Sequence, residues 1–155
     1  MKKSKTIQTN RHSDSLKLWI ELIRCSNILE RHVDKNLRQH HGQSISRFDV
    51  LSQLERVTEQ GLTVGELGLK LIASKGNITG LVNRMIKDGL VTKESKSEDR
   101  RSYQVKISKK GLSLFKKMAN DHASWIESSF SALNIDSMKD MTKLLAETRL
   151  SLNKD

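Results

Sequence analysis

The sequence has no proline, one cysteine and six aromatic residues in 155. Without proline no helix interior is forced to kink, so long helices are open to this chain. A lone Cys25 excludes an internal disulfide and points to a reducing compartment. No apolar run approaches the roughly 20 residues of a membrane span. The basic start Met1-Lys2-Lys3-Ser4-Lys5 is not followed by the apolar stretch of a secretory signal. A cytoplasmic protein with no membrane partner is therefore expected. Also missing are a phosphate-binding loop, a Gly-x-Ser-x-Gly turn and a Cys/His cluster of metal spacing. His12, His32, His40, His41 and His122 never pair at i, i+4 spacing. No enzyme activity, cofactor or metal site is expected.

What the sequence does have is positive charge, unevenly placed. The formal balance is +10, and the segment from Lys70 to Lys117 alone carries +9, from 13 basic and 4 acidic residues. Even scatter would mean a solvated surface. Clustering favours a face that neutralises closely spaced phosphates.

Residues 1–14 are polar and aperiodic and are expected to form a mobile arm. From Leu16 apolar residues recur at helical spacing through Trp19, Ile20, Ile23, Ile28, Leu29, Val33 and Leu37, up to a stop at Gly42. Ser46-Arg47-Phe48-Asp49 has the form of a capping box for a second helix, and Thr63-Val64-Gly65-Glu66 that of another. The short third helix breaks near Ile72-Ala73. Ser74 is expected to cap a fourth helix, over 75–88, whose Ile78, Leu81, Val82, Met85 and Ile86 share one face. Two short helices joined by so brief a turn read as a helix-turn-helix. Leu90–Lys96 and Tyr103–Ser108 read as strands around a polar tip, a hairpin wing, with Leu62-Thr63 as a possible third piece of sheet. Helical spacing returns from Lys109 to Phe130, and Ser137 is expected to cap a last helix carrying Met138, Met141, Leu144, Leu145 and Leu152.

The fold class expected is mainly α, a winged helix-turn-helix of order α-α-α-α-β-β-α-α. Residues 46–109 form the DNA-binding domain. Residues 15–45 and 110–155 form dimerisation helices, because their apolar positions exceed what a small winged domain covers.

The fourth helix turns Lys75, Gly76, Asn77, Thr79, Gly80, Asn83, Arg84 and Lys87 away from its apolar face, with no carboxylate before Asp88. Lys and Arg suit phosphates and guanine, Asn suits adenine, and Thr suits a hydroxyl contact or a thymine methyl. Two glycines on an exposed helix each cost about 1 kcal/mol relative to Ala, which close approach to a groove wall explains. Asp99-Arg100-Arg101 at the wing tip offers an arginine slim enough for a minor groove. The DNA-contacting set expected is Ser74, Lys75, Gly76, Asn77, Thr79, Gly80, Asn83, Arg84, Asp99, Arg100 and Arg101.

These features together resemble the multiple-antibiotic-resistance regulator (MarR) family. The match runs from the helix-turn-helix at 63–89 through Gly89-Leu90-Val91 and Asp99-Arg100-Arg101-Ser102 to Val105-Lys106-Ile107-Ser108-Lys109-Lys110-Gly111. Ser108 stands where the family more often has Thr. The resemblance implies a homodimer on a pseudo-palindromic duplex, with recognition helices in successive major grooves and Arg101 in a flanking minor groove with Asp99 as its partner. It further implies repression released by a small aromatic or phenolic ligand or by oxidation. By chemistry alone, His12, Trp19 and Arg24 are candidate effector liners, although core or interface packing is the plainer expectation for Trp19. Cys25 is expected to be a buried small residue, since it does not match the family's reactive cysteine, which lies nearer Lys17 or Leu18. The alternatives are an architectural binder without sequence preference, an activator of the same fold, and an oxidation sensor acting through Cys25.

Overall fold

A computed structural model describes residues 2–71, 77–95 and 103–153, with side chains from residue 10 onward. Its elements follow the expected order: α1 (Lys2–His41), α2 (Ile45–Glu55), α3 (Val64–Lys70), α4 (Ile78–Lys87), β1 (Val91–Ser95), β2 (Tyr103–Ile107), α5 (Lys109–Ser129) and α6 (Ile135–Leu152). The chain divides into two compact units, Met1–His122 and Ala123–Asp155. The division falls inside α5.

Within the first unit, α2, α3, α4 and the hairpin enclose one core. Val50, Leu51, Leu54, Leu67, Val82, Met85 and Val105 have no exposed surface. Strands β1 and β2 pair antiparallel, from Val91 opposite Ile107 to Ser95 opposite Tyr103. Leu62 adds a single bridge to Val105, the small third piece of sheet expected. The first helix lends this core only its C-terminal end, through Val33 and Leu37. Upstream, Leu16, Leu18 and Trp19 are each more than half exposed in the single chain. In the second unit α6 has no buried residue, and Leu144 and Leu152 are exposed.

Four local expectations are corrected. Residues 2–14, read as an arm, continue α1, because neither Gly nor Pro occurs before Gly42 to end a helix. Helix α2 is capped by Ser44, not Ser46. Ser44 is extended and its side chain accepts from the Arg47 N–H, while the Ile45 N–H donates to Asp34 of α1 at 2.9 Å. Helix α4 starts at Ile78 with Asn77 as its cap, not at 75 with Ser74. Helix α6 is capped by Asn134, whose Oδ1 accepts from the Ser137 N–H. In each displaced cap an Asn or Ser earlier or later in the chain reaches a free N–H first, which the residue types alone leave open. The Thr63–Glu66 box forms as expected, with both reciprocal hydrogen bonds present.

Candidate nucleic-acid interface

Helix α4 is capped at its start and fixed to its scaffold at its end. At the start, Asn77 Oδ1 accepts from the Gly80 N–H at 2.8 Å. A side chain on Gly80 would meet that Asn77 amide at 2.8 Å. Gly80 thus leaves room for its own helix cap, a nearer reason than the groove wall. The cap also occupies the acceptor half of the Asn77 amide, and a bidentate pair with adenine needs both halves.

At the other end, Gly89 takes a left-handed φ of 73°. The Gly89 N–H donates to the Ile86 carbonyl and the Leu90 N–H to the Met85 carbonyl, the two bonds of a Schellman motif. Leu90 and Met85 are both buried beneath it. The start of α5 then closes onto this junction. Ser108 Oγ lies 2.7 Å from the Gly89 carbonyl and 3.0 Å from that of Leu90, and accepts from the Gly111 N–H at 2.9 Å. A Cβ on Gly111 would sit 2.0 Å from the Leu90 carbonyl oxygen, so the close approach depends on glycine. The family-like Ser108…Gly111 pattern is thereby a docking device: it holds the end of the recognition helix against α5.

Between these anchors, Leu81, Val82 and Met85 are buried while Thr79, Asn83, Arg84 and Lys87 are exposed on the other face. That face is cationic and acid-free up to Asp88, as the sequence suggested. On the hairpin, Lys93 Nζ lies 3.7 Å from the Tyr103 ring centroid, and Lys106 pairs with Glu94 at 2.7 Å. The Lys93–Tyr103 contact crosses between neighbouring strands and was not apparent from alternation alone. Ser74, Lys75, Gly76, Asp99, Arg100 and Arg101 lie outside the described residues.

The structure does not gather the candidate effector liners into one site. His12, Trp19 and Arg24 all lie on α1 and are exposed. His12 borders an open hollow with Arg11, Ser15 and Leu16. Trp19 and Arg24 are five residues apart and so point about 140° from each other around the helix. Arg24 pairs with Glu21 at 3.0 Å. Cys25 is exposed in the single chain rather than buried, because no other element of its own unit covers this stretch of α1. Among the described residues no group of three or more His, Cys, Asp or Glu is arranged to hold a metal ion, and no helix is long and apolar enough to cross a membrane.

Polar contacts tie the C-terminal part of α1 to α2 and α5. Asp34 accepts from Arg38 at 2.6 Å as well as from Ile45. Partial burial alone would raise its pKa, but these hydrogen bonds and the Arg38 charge outweigh that and hold it below 3.8. His41 Nε2 lies 2.9 Å from Asp121 Oδ2 of α5, and the His122 ring is tilted against that of Phe48 with the centroids 4.8 Å apart. Burial pushes the His122 pKa below its ordinary 6.5.

Known proteins share this arrangement. The MarR family profile matches residues 41–102. The HTH-type transcriptional regulator MhqR of Bacillus subtilis (strain 168) is 30% identical over 139 residues, which are 90% of this chain and 92% of MhqR. The structure of a MarR family transcriptional regulator from Silicibacter pomeroyi matches with a TM-score of 0.80 at 28% identity, covering 92% of this chain and 97% of that one. Sco3205, a MarR family regulator from Streptomyces coelicolor solved in complex with DNA, matches in fold with a TM-score of 0.78 at 20% identity, covering 90% of this chain and 88% of that one. With the helix-turn-helix, the hairpin and the Ser108–Gly111 junction in place, the chain belongs to the MarR family of winged helix-turn-helix, DNA-binding transcriptional regulators.

Proposed function

We propose that this chain works as a homodimeric repressor that binds a pseudo-palindromic duplex and is released by a small aromatic or phenolic acid. The observation that carries the DNA reading is α4, with Thr79, Asn83, Arg84 and Lys87 on one acid-free exposed face and Leu81, Val82 and Met85 buried on the other. Such a helix enters a major groove, its cations and amides reading base edges and phosphates. Lys75, Gly76 and Ser74 continue the contact at its N-terminal side, and Arg100, Arg101 and Asp99 contact the flanking minor groove. Sco3205, of the same fold, is known in complex with DNA, which supports this placement.

The dimer reading rests on apolar surface left uncovered in the single chain. Leu16, Leu18 and Trp19 on α1, and Met141, Leu144 and Leu145 on α6, are exposed. A two-fold dimer buries each patch twice and spaces the two recognition helices by about one helical turn of DNA. Trp19 offers a ring-stacking surface for an aromatic effector at that interface.

Selection of bound duplexes from a random pool tests the reading. A recovered consensus with two-fold symmetry and half-sites about 10 base pairs apart supports it. Recovery of unbiased sequence, with affinity falling steeply in salt, would instead indicate an architectural binder. Repeating the selection with aromatic acids present tests release. If peroxide alone releases the duplex and a Cys25→Ser variant resists it, oxidation sensing replaces ligand release.

A further inference from the structure

Asp88 is out of place by simple electrostatics. It is the C-cap of α4, where the helix dipole already presents negative charge, and it lies within the basic segment that faces a polyanion. Both placements disfavour a carboxylate. What compensates it is Arg47 of α2, whose Nη2 donates to Asp88 Oδ2 at 2.5 Å. Arg47 is itself four-fifths covered, and its Nη1 donates to Gln43 Oε1 at 3.0 Å. Gln43 hangs from the end of α1, its N–H donating to the Leu37 carbonyl. From the other side Lys110 Nζ donates to the Asp88 carbonyl at 2.8 Å.

We propose that Arg47 and Asp88 form a clamp that sets the pose of α4 on DNA, both acting as positioning residues for sequence discrimination without touching the duplex. The inference rests on the DNA-binding reading above. Three features separate a clamp from a phosphate contact. The Arg47 charge is neutralised by its partner, most of its surface is covered, and both terminal nitrogens are engaged. The clamp bears on the C-terminal end of α4, where Lys110 of α5 also holds the Asp88 carbonyl, so that end is tied to α2 and α5 at once. Base-edge hydrogen bonds tolerate little tilt, whereas phosphate attraction tolerates a great deal. Loosening the clamp should therefore cost discrimination more than affinity.

The test compares a duplex selected by the wild-type protein with a scrambled duplex of equal length, for the full-length wild type, Arg47→Gln and Asp88→Asn, over a range of salt. In Arg47→Gln the ratio of selected to scrambled affinity should fall by about tenfold, with an unchanged salt slope. Asp88→Asn removes a negative charge near DNA, so it should bind scrambled duplex more tightly yet lose the same ratio. The double variant should lose no more than either single one. Should Arg47→Gln not fold, Asp88→Asn carries the test, since Asn is well suited to a helix C-terminus. An unchanged ratio in the folded variants would overturn the clamp. Equal loss on both duplexes, with a salt slope shallower by about one, would overturn it by making Arg47 a phosphate contact. A wild type that does not discriminate at all would overturn the regulator reading, a result distinct from either.

Discussion

Asn77 and Gly111 show how a single residue type can hold two meanings until the backbone is known. In the sequence Asn77 looks like a base reader, since an amide pairs well with adenine. In the fold its Oδ1 caps α4. Replacing it with Ala should cost about 1 kcal/mol of stability, and Ser should recover most of that because a hydroxyl caps nearly as well. Chemical denaturation measures both. Operator discrimination should follow the cap, so Asn77→Ser should bind as the wild type does. A Ser variant that is stable but loses preference at one or two bases would return the residue to base reading. Gly111 was legible as part of a family-like pattern, but its purpose was not. Its Cα faces the Leu90 carbonyl so closely that any Cβ collides with backbone. Gly111→Ala should destabilise the fold by about 1–3 kcal/mol or more, because the obstruction cannot rotate away. A thermal melt unchanged by this substitution would contradict the docking account.

At the scale of elements, periodicity was enough to place six helices and two strands in order, because apolar residues recur with the spacing of helix or strand. It was a poorer guide to where helices start. Ser44 displaced Ser46, Asn77 displaced Ser74 and Asn134 displaced Ser137, since several polar residues compete for the same free N–H groups. The N-terminal extension of α1 has no apolar stripe to reveal it, only the absence of a breaker. Contacts between elements were the least legible. At the junction of α1, α2 and α5, Phe48 meets His122 and His41 meets Asp121, 80 positions away. Burial holds His122 below its ordinary pKa of 6.5 because its charged form loses water against Phe48. The unfolded chain therefore takes up this proton first. The contribution of His122 is complete above about pH 6.5 and is lost as pH falls toward the folded-state value. His122→Gln should flatten the stability profile below about pH 6.5, measured by urea unfolding at each pH. A profile as steep as the wild type's would assign the acid sensitivity elsewhere.

For the whole molecule, the separation of charge from apolar surface is the organising feature. The +9 segment runs from the end of α3 through the wing into α5, while α1 and α6 carry the exposed leucines. That division was legible in the sequence, because charge can be counted without knowing the fold. On the proposed function, one part of the chain meets DNA and another meets a second copy of the chain. Leu144 is 61% exposed on α6, a poor place for a leucine in a monomer. Leu144→Asp should shift the protein from dimer to monomer at micromolar concentration, as read by light scattering during gel filtration. A dimer that persists would place the interface away from this face of α6. A monomer should also lose most of its operator affinity, since each half-site then binds alone.

Whether a folded face of this chain reads sequence in duplex DNA is decided by one titration. The selected duplex and a scrambled one are each titrated with wild-type protein at near-physiological salt. The affinity for the selected site should lie at least about a thousandfold above that for the scrambled one, in the range of specific regulators. Equal affinities for the two duplexes, falling together as salt is raised, would contradict it.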